Sequence, residues 1–374
     1  MNNICIVSFC NLYYLPYASL YIDKVMGAGA KCALLFWDRD AVHGGNDNCP
    51  DGCEKVVFQY KEMKNTPGIE KAWGYVKATW FFRKVLKERD FNGVIFLQTQ
   101  CAVACGRVLQ NKYKGKFILD IRDYFYDDFS FYRRQEKKLI DISYANVISS
   151  PAYRKFLPAG KYYLSHNYSP FEEKALDGFL ASKRIIKEGG VINISYVGTV
   201  RFLNMDKKLL RLFANDKRFS INYYGRGSEV LETYCKENNI QNVRFYGSFS
   251  PSQVLDFYKG TDLINNLYGN HTKELDYALS NKIYHAGQLH LPILVCPETY
   301  MQEVSQRYKM GFVFDVDKEG AVEQLYQWYT TFDRYSFDEG CNRFIEDVKR
   351  ENEEFDEICM QFIIFCSKKD KDEK

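Results

Sequence analysis

Short apolar runs rich in β-branched and aromatic residues recur through the first half of the chain, as ICIVSF, CALLFW, KVVFQY, GVIFLQ, KFILDI and NVISS. Between most of them lie helix-length amphipathic stretches, such as 68 to 89 and 131 to 143. Runs this apolar suit strands buried on both faces, and strands separated by helix-length connections pair in parallel. A second series opens at VINISYVG and continues through FSINYYG, NVRFYG, DLINNL, LPILV and GFVFD, again with helical stretches between. The alternation predicts two α/β domains, and 374 residues is too long for one ordinary core.

Patterning is weakest near 168 to 190, where YSPFEEKALDGFLASKRIIKEGG ends in a charged, glycine-containing break. The expected organisation is a first doubly wound domain over 1–168, a linker over 169–190, a second domain over 191–345, and a C-terminal helix and tail over 346–374. One helix start is explicit in GSFSPSQVLDFY: Ser250 caps, Pro251 takes the first position, and Gln253 completes a capping box.

Lys plus Arg of 51 against Asp plus Glu of 48 leaves a net charge of +3, which sets up no field for nucleic acid, and no nucleic-acid motif is present. No window approaches the roughly 20 uninterrupted apolar residues of a membrane span. The start, MNNICIVSFC, enters a strand without a charged leader, so a cytoplasmic location is expected. The 12 cysteines are scattered through strand and helix patterns, as at Cys5, Cys32 and Cys235, and are expected to be reduced thiols packed as small hydrophobes. Two C-x3-C pairs, Cys49 with Cys53 and Cys101 with Cys105, lack the further ligand pairs of a zinc site.

Three junctions of the second series have the chemistry of anion sites. In ISYVGTVRF a strand runs into Gly198 and Thr199, followed by Arg201, with Lys207 and Lys208 on the next helix. A glycine there admits a phosphate to the backbone, and the cations neutralise it. YYGRGSEVL repeats strand, Gly225-x-Gly and helix. In SNKIYHAGQLHLPILV, Ser280 or Asn281 caps a helix whose free N–H groups and positive dipole end lie beside Lys282. Ile283, Ala286 and Leu289 form its inward face, and Gly287 permits close packing. Ligands of open parallel sheets bind at strand carboxyl ends, so the three together point to a nucleotide-diphosphate site.

In this order and spacing, ISYVGTVR, YYGRGSEVL, NVRFYGSFSPSQVLDFYKGTDLI and SNKIYHAGQLHLPILV resemble the donor domain of GT-B glycosyltransferases, especially those of bacterial capsule and exopolysaccharide synthesis (family 4-like or family 1-like). The resemblance covers 191 to 316 and extends more loosely to the first half through IVSFCNLYYLPYASLYIDKV, FWDRD, FILDIRDY and LSHNYSP. It implies two Rossmann-like doubly wound domains facing a cleft. It also implies transfer of a sugar from a nucleotide-diphosphate donor, held by the second domain, to a glycan or lipid-linked oligosaccharide held by the first. The donor's diphosphate then lies on Gly198, Thr199, Asn281 and Lys282, with Arg201, Lys207, Gly225, Ser280 and His285 completing the donor site. The chain departs from the family pattern where many retaining members carry two glutamates eight residues apart: here stand Tyr277 and His285, with Glu274 and Asp276 nearby but out of register. The usual glycine is displaced, with His290 two residues ahead of Pro292. Two other readings stay open, a sugar-nucleotide epimerase of GT-B-like fold and a noncatalytic partner subunit.

No cofactor and no metal is expected. Asp38-x-Asp40 has the form of a metal-diphosphate pair, but Asp315-x-Asp317 has it equally, and the five histidines supply no i, i+4 pair. In FILDIRDYFYDD, Asp123, and after it Asp120, are candidate bases for an acceptor hydroxyl, with Arg122 as orienter; a structural ion pair is the other reading. In FCNLYYLPY, Asn11, Tyr13 and Tyr14 suit an acceptor's sugar face. Finally, 69 to 89 places Ile69, Trp73, Val76 and Trp80 at helical spacing, beside Phe81, Phe82 and Val85, with Lys77, Arg83, Lys84, Lys87 and Arg89 supplying charge. The stripe is expected to pack on the sheet; an interfacial helix holding the enzyme on the inner face of the membrane is the second reading.

Overall fold

The structure is a computed structural model, and it describes residues 3–39, 49–61, 68–123, 129–182 and 190–372. The chain divides into two compact units, one of residues 1–166 with 350–374, the other of residues 167–349.

In the first unit, strands β1 (Asn3–Ser8), β2 (Lys31–Asp38), β3 (Glu54–Gln59), β4 (Gly93–Phe96), β5 (Phe117–Ile121), β6 (Ala145–Ile148) and β7 (Tyr162–Leu164) form a seven-stranded sheet, order β3-β2-β1-β4-β5-β6-β7. Every pairing is parallel. The central strands are buried along their length, as expected of a sheet covered on both faces. In the second unit, β8 (Ile192–Val197), β9 (Phe219–Tyr224), β10 (Val243–Phe245), β11 (Leu263–Asn266), β12 (Ile293–Val295) and β13 (Gly311–Val313) form a six-stranded parallel sheet, order β10-β9-β8-β11-β12-β13. Each sheet reverses its winding once, between β1 and β4 and between β8 and β11, and ligands of such sheets bind at that reversal.

Two elements differ from their sequence-based placement. The expected linker contains a helix, Glu173–Ala181, and the last helix runs over Arg334–Asp372, beginning well before 346. That helix serves both cores. Phe344 lies against Gly287, where an added Cβ would come within 2.9 Å of its ring. Further on, Phe355, Ile358, Phe362 and Ile363 are buried in the core of the first unit. The room for this is made by Gly93 of β4, where a Cβ would stand 2.6 Å from Cys366 Sγ and 2.7 Å from the Phe362 ring.

Helix Gly68–Glu88 corrects the expected stripe. Its buried face is Gly74, Ala78, Phe82, Val85 and Leu86, while Trp73, Val76 and Trp80 are 56, 54 and 66% exposed. A window holding eight large apolar side chains has more than one apolar face, and the i, i+4 set 74, 78, 82, 86 with 85 faces the sheet. Ile69 lies outside the described side chains. The cysteines are free thiols, and Cys5, Cys32 and Cys235 are buried as expected.

Candidate active site

A pocket of about 380 Å³ opens at the winding reversal of the second sheet, and its walls are the ends of β8 and β11, the segment after β12, and the start of helix Asn281–Leu289. Gly198, Thr199, Arg201, Ser280, Asn281, Lys282 and His285 all line it, so two of the three expected junctions converge. The helix start is built as expected: Ser280 is extended, and its side chain accepts from the Lys282 N–H. The next turns are buried on nearly every side, because Ile283, Tyr284, Ala286, Gly287 and Leu289 are wedged between the sheet and the last helix. The helix ends on His290 in the left-handed conformation that usually selects glycine. Its imidazole bridges Asp338 Oδ1 (2.8 Å) and Asn342 Oδ1 (3.1 Å) of the last helix, which is what a histidine gains at this position over the displaced glycine.

Lys282 is 5% exposed, yet among the described residues no carboxylate pairs with it. Its ammonium donates to the Tyr268 hydroxyl and stands 4.2 Å from the centre of the Tyr196 ring and 4.8 Å from that of Tyr268. Asp206, buried nearby, acts on this charge without an ion pair, so among the described residues the cation is in contact only with a phenol and ring faces, an arrangement that leaves its charge incompletely compensated. Burial pushes the Tyr268 hydroxyl up, but Lys282 and hydrogen bonds from Ser280 and Tyr196 outweigh it and bring it below the usual phenol range. Gly198 lies beside Lys282, where a Cβ would make ordinary contact with Nζ at 3.6 Å, and its φ of +142° is what calls for glycine there.

His285 is neutral: burial, then the Lys282 charge, push its imidazole down to about 4. Its Nδ1 lies 3.3 Å from the Tyr258 hydroxyl. Beneath the pocket Asp206 is buried, with one oxygen accepting from Tyr223 (2.9 Å), and burial pushes its carboxyl up to about 6.

The remaining second-domain candidates fall outside this pocket. Lys207 lies over the Tyr234 ring, 5.2 Å from its centre, and does not line the pocket. Gly225 borders a shallower hollow with Gly198, Thr199, Arg226, Ser248 and Phe249. Its missing side chain serves packing, because a Cβ would fall 1.8 Å from the Gly198 carbonyl oxygen. Sequence reasoning missed Tyr268, Tyr196, Asp206 and Asn266. The Asn265-Asn266 pair, polar residues in a buried strand, was the available signal for the last.

In the first unit Asp120 is 0% exposed and accepts from Arg122 Nε (3.0 Å) and the Tyr21 hydroxyl (2.8 Å). Arg122 also donates to Ser165 Oγ (2.8 Å) and packs on the Tyr17 ring, 4.0 Å from its centre. The second candidate base and its orienter are thus a buried ion pair at the sheet end, while Asp123 is exposed. Asn11 is buried, caps the turn Leu12–Tyr14 by accepting from the Tyr13 N–H (2.9 Å), and donates to Asp38 (3.2 Å), whereas Tyr13 and Tyr14 are exposed. Asp40 lies outside the described residues. Asp315 accepts from the Asp317 N–H (2.9 Å) and Asp317 pairs with Lys208, so that D-x-D is a turn.

No protein-family model matches the sequence, and no curated protein matches it. Solved structures do. Sucrose-phosphate synthase from Thermosynechococcus elongatus superposes with a TM-score of 0.67 at 12% identity, covering 96% of this chain and 97% of that one. The lipopolysaccharide outer core galactosyltransferase WaaB does so at 0.65 and 14%, covering 96% and 99%. These are GT-B glycosyltransferases. The chain has the GT-B fold. Anabaena HepE, solved in complex with UDP and glucose, matches at 0.61 and 11%, again over 96% and 99%. At such identities the likeness shows the architecture alone.

Proposed function

We propose that this GT-B chain is a glycosyltransferase that moves a sugar from a nucleotide diphosphate to a glycan or lipid-linked acceptor in bacterial surface polysaccharide synthesis, without a resident metal. The observation that carries the reading is Lys282: a buried cation with no carboxylate partner among the described residues, at a capped helix start, beside Gly198, at the winding reversal of a parallel sheet. A diphosphate supplies the missing negative charge and accepts from the free N–H groups of the helix start. Arg201 on the pocket wall adds a second cation. As the donor bond breaks, charge develops on the leaving diphosphate, and cations fixed there in advance stabilise it. The neutral imidazole of His285 suits a hydroxyl of the nucleotide. The likeness to HepE, solved with UDP and glucose, supports a nucleotide-sugar donor.

The first unit is assigned the acceptor, with Asp123 as the base for its hydroxyl and Tyr13 and Tyr14 against a sugar face. No helix of the described residues is long and apolar enough to cross a membrane. The outward face of helix Gly68–Glu88 supports peripheral contact with the inner membrane leaflet instead: Trp73, Val76 and Trp80 are interleaved with Lys77 and Lys84, whose ammoniums lie over the Trp73 and Trp80 rings. Isothermal titration with UDP, GDP, TDP and their sugars tests the donor assignment, and failure of all of them to bind rejects it. Turnover in the presence of EDTA tests the absence of a metal: a loss restored by a divalent cation overturns that part.

A further inference from the structure

β11 is the anomaly of the second sheet. It is paired on both sides, with β8 and β12, and every residue of it is buried, yet two of its four residues are asparagines. An amide in such a strand costs stability unless its polar atoms are paired. Asn265 has a local task for its oxygen, which accepts from the Leu267 N–H (3.0 Å) and turns the chain at the strand end, while its Nδ2 meets no partner among the described residues and does not border the pocket. Asn266 has no such task. The residue is 4% exposed, its Oδ1 meets no hydrogen-bond partner among the described residues, and it borders the pocket.

The pocket and the adjoining hollow run along the carboxyl edge of the sheet. At the β9–β10 side lie Arg226, Ser248 and Phe249, a flat ring with polar neighbours. In the middle are Gly198 and Lys282, the diphosphate position of the proposed function, on which this inference rests. At the β11–β12 side are Asn266 and Thr299, with Cys296 and Met301. Of the two ends of a nucleotide sugar, the aromatic side suits the base, leaving the amide side for the other end. We propose that Asn266 is a specificity-determining residue that hydrogen-bonds a hydroxyl of the glycosyl group on the donor. An amide left unpaired by the fold is paired by the correct sugar, and a sugar lacking that hydroxyl leaves it unpaired, which is the condition under which a site discriminates strongly.

The test is titration of the parent chain, Asn266→Ala and Asn266→Thr with UDP and UDP-glucose, GDP and GDP-mannose, and TDP and TDP-glucose, with thermal unfolding of each protein to identify folded variants. For the pair the parent binds, both variants are expected to keep nucleoside diphosphate affinity within about twofold and to lose about tenfold for the nucleotide sugar. Asn266→Thr, smaller but still hydrogen-bonding, carries the test where Asn266→Ala unfolds. Equal losses for the two ligands place the amide on the ribose, and unchanged affinities place it on neither; each result overturns the proposal and leaves the donor assignment intact. A parent chain that binds none of the six overturns the donor assignment, and this inference with it.

Discussion

Two titrating groups at or beneath the pocket make opposite demands on the fold. Asp206, raised to about 6 from an ordinary 3.8, holds its proton more tightly folded than unfolded, so its contribution is full below about 4 and is lost as pH rises to 6. His285, lowered to about 4 from 6.5, must stay neutral to fold, so its contribution appears as pH rises from 4 to 6.5. Between pH 4 and 6 the slopes oppose, each worth at most about 3 kcal/mol. Thermal unfolding across that range should therefore rise with pH in Asp206→Asn and fall with pH in His285→Gln; parallel profiles in the two variants would contradict the assignment. Lys282 permits a sharper test of binding. Lys282→Met removes one charge-assisted contact worth about 1.5–3 kcal/mol and should weaken UDP or its equivalent by about ten- to a hundredfold while changing nucleoside affinity much less. Equal losses for both ligands would mean that the lysine acts through the fold. Ser280 as cap and Lys282 beside it were legible in the sequence because capping is local chemistry. The aromatic cradle was not, since Tyr196 lies far along the chain from both Tyr268 and Lys282, and only the sheet order brings it to them.

At the scale of elements, strands were legible because runs of β-branched residues have few alternatives, whereas the orientation of helix Gly68–Glu88 was not. Its apolar residues occur on two faces, and sequence spacing selects the tryptophans as readily as Phe82 and Leu86. Burial decides, and it leaves Trp73, Val76 and Trp80 outside, with Lys77, Lys84 and Lys87 around them. Such a face is expected to bind vesicles containing anionic lipid, with affinity falling in high salt as the charge is screened. Trp73→Ser with Trp80→Ser should abolish sedimentation with vesicles at any salt, and Lys84→Glu with Lys87→Glu should weaken it chiefly at low salt. Because these side chains are outward, none of the four substitutions should lower the melting temperature by more than a few degrees. Sedimentation unaffected by the tryptophan pair would remove the interfacial role.

The whole molecule was legible as two parallel α/β units, but not as units that share a helix. Nothing in the composition near 345 to 366 distinguishes a terminal appendage from a core element; the distinction lies in Gly93, whose missing side chain makes sense only once Phe362 and Cys366 are seen against it. The chain therefore leaves its first unit at 166, builds the second over 167–349, and only then supplies the residues that complete the first. Among the described residues the core cluster of the second unit draws on nothing beyond 349, whereas the first lacks Phe355, Phe362 and Ile363 until the last helix has been made. Truncation after Lys349 is expected to leave the second unit folded and the first open. In hydrogen exchange read by mass spectrometry, peptides from 190–349 should keep most of their protection while those from 3–166 lose theirs. Within the full-length chain, Phe362→Ala should cost about 3–5 kcal/mol, the usual range for a large aromatic removed from a core, and the added exchange should fall in the first unit. Persistent protection of 3–166 in the truncated chain would show that the helix only covers a core complete without it, and the placement of Gly93 would then need another cause.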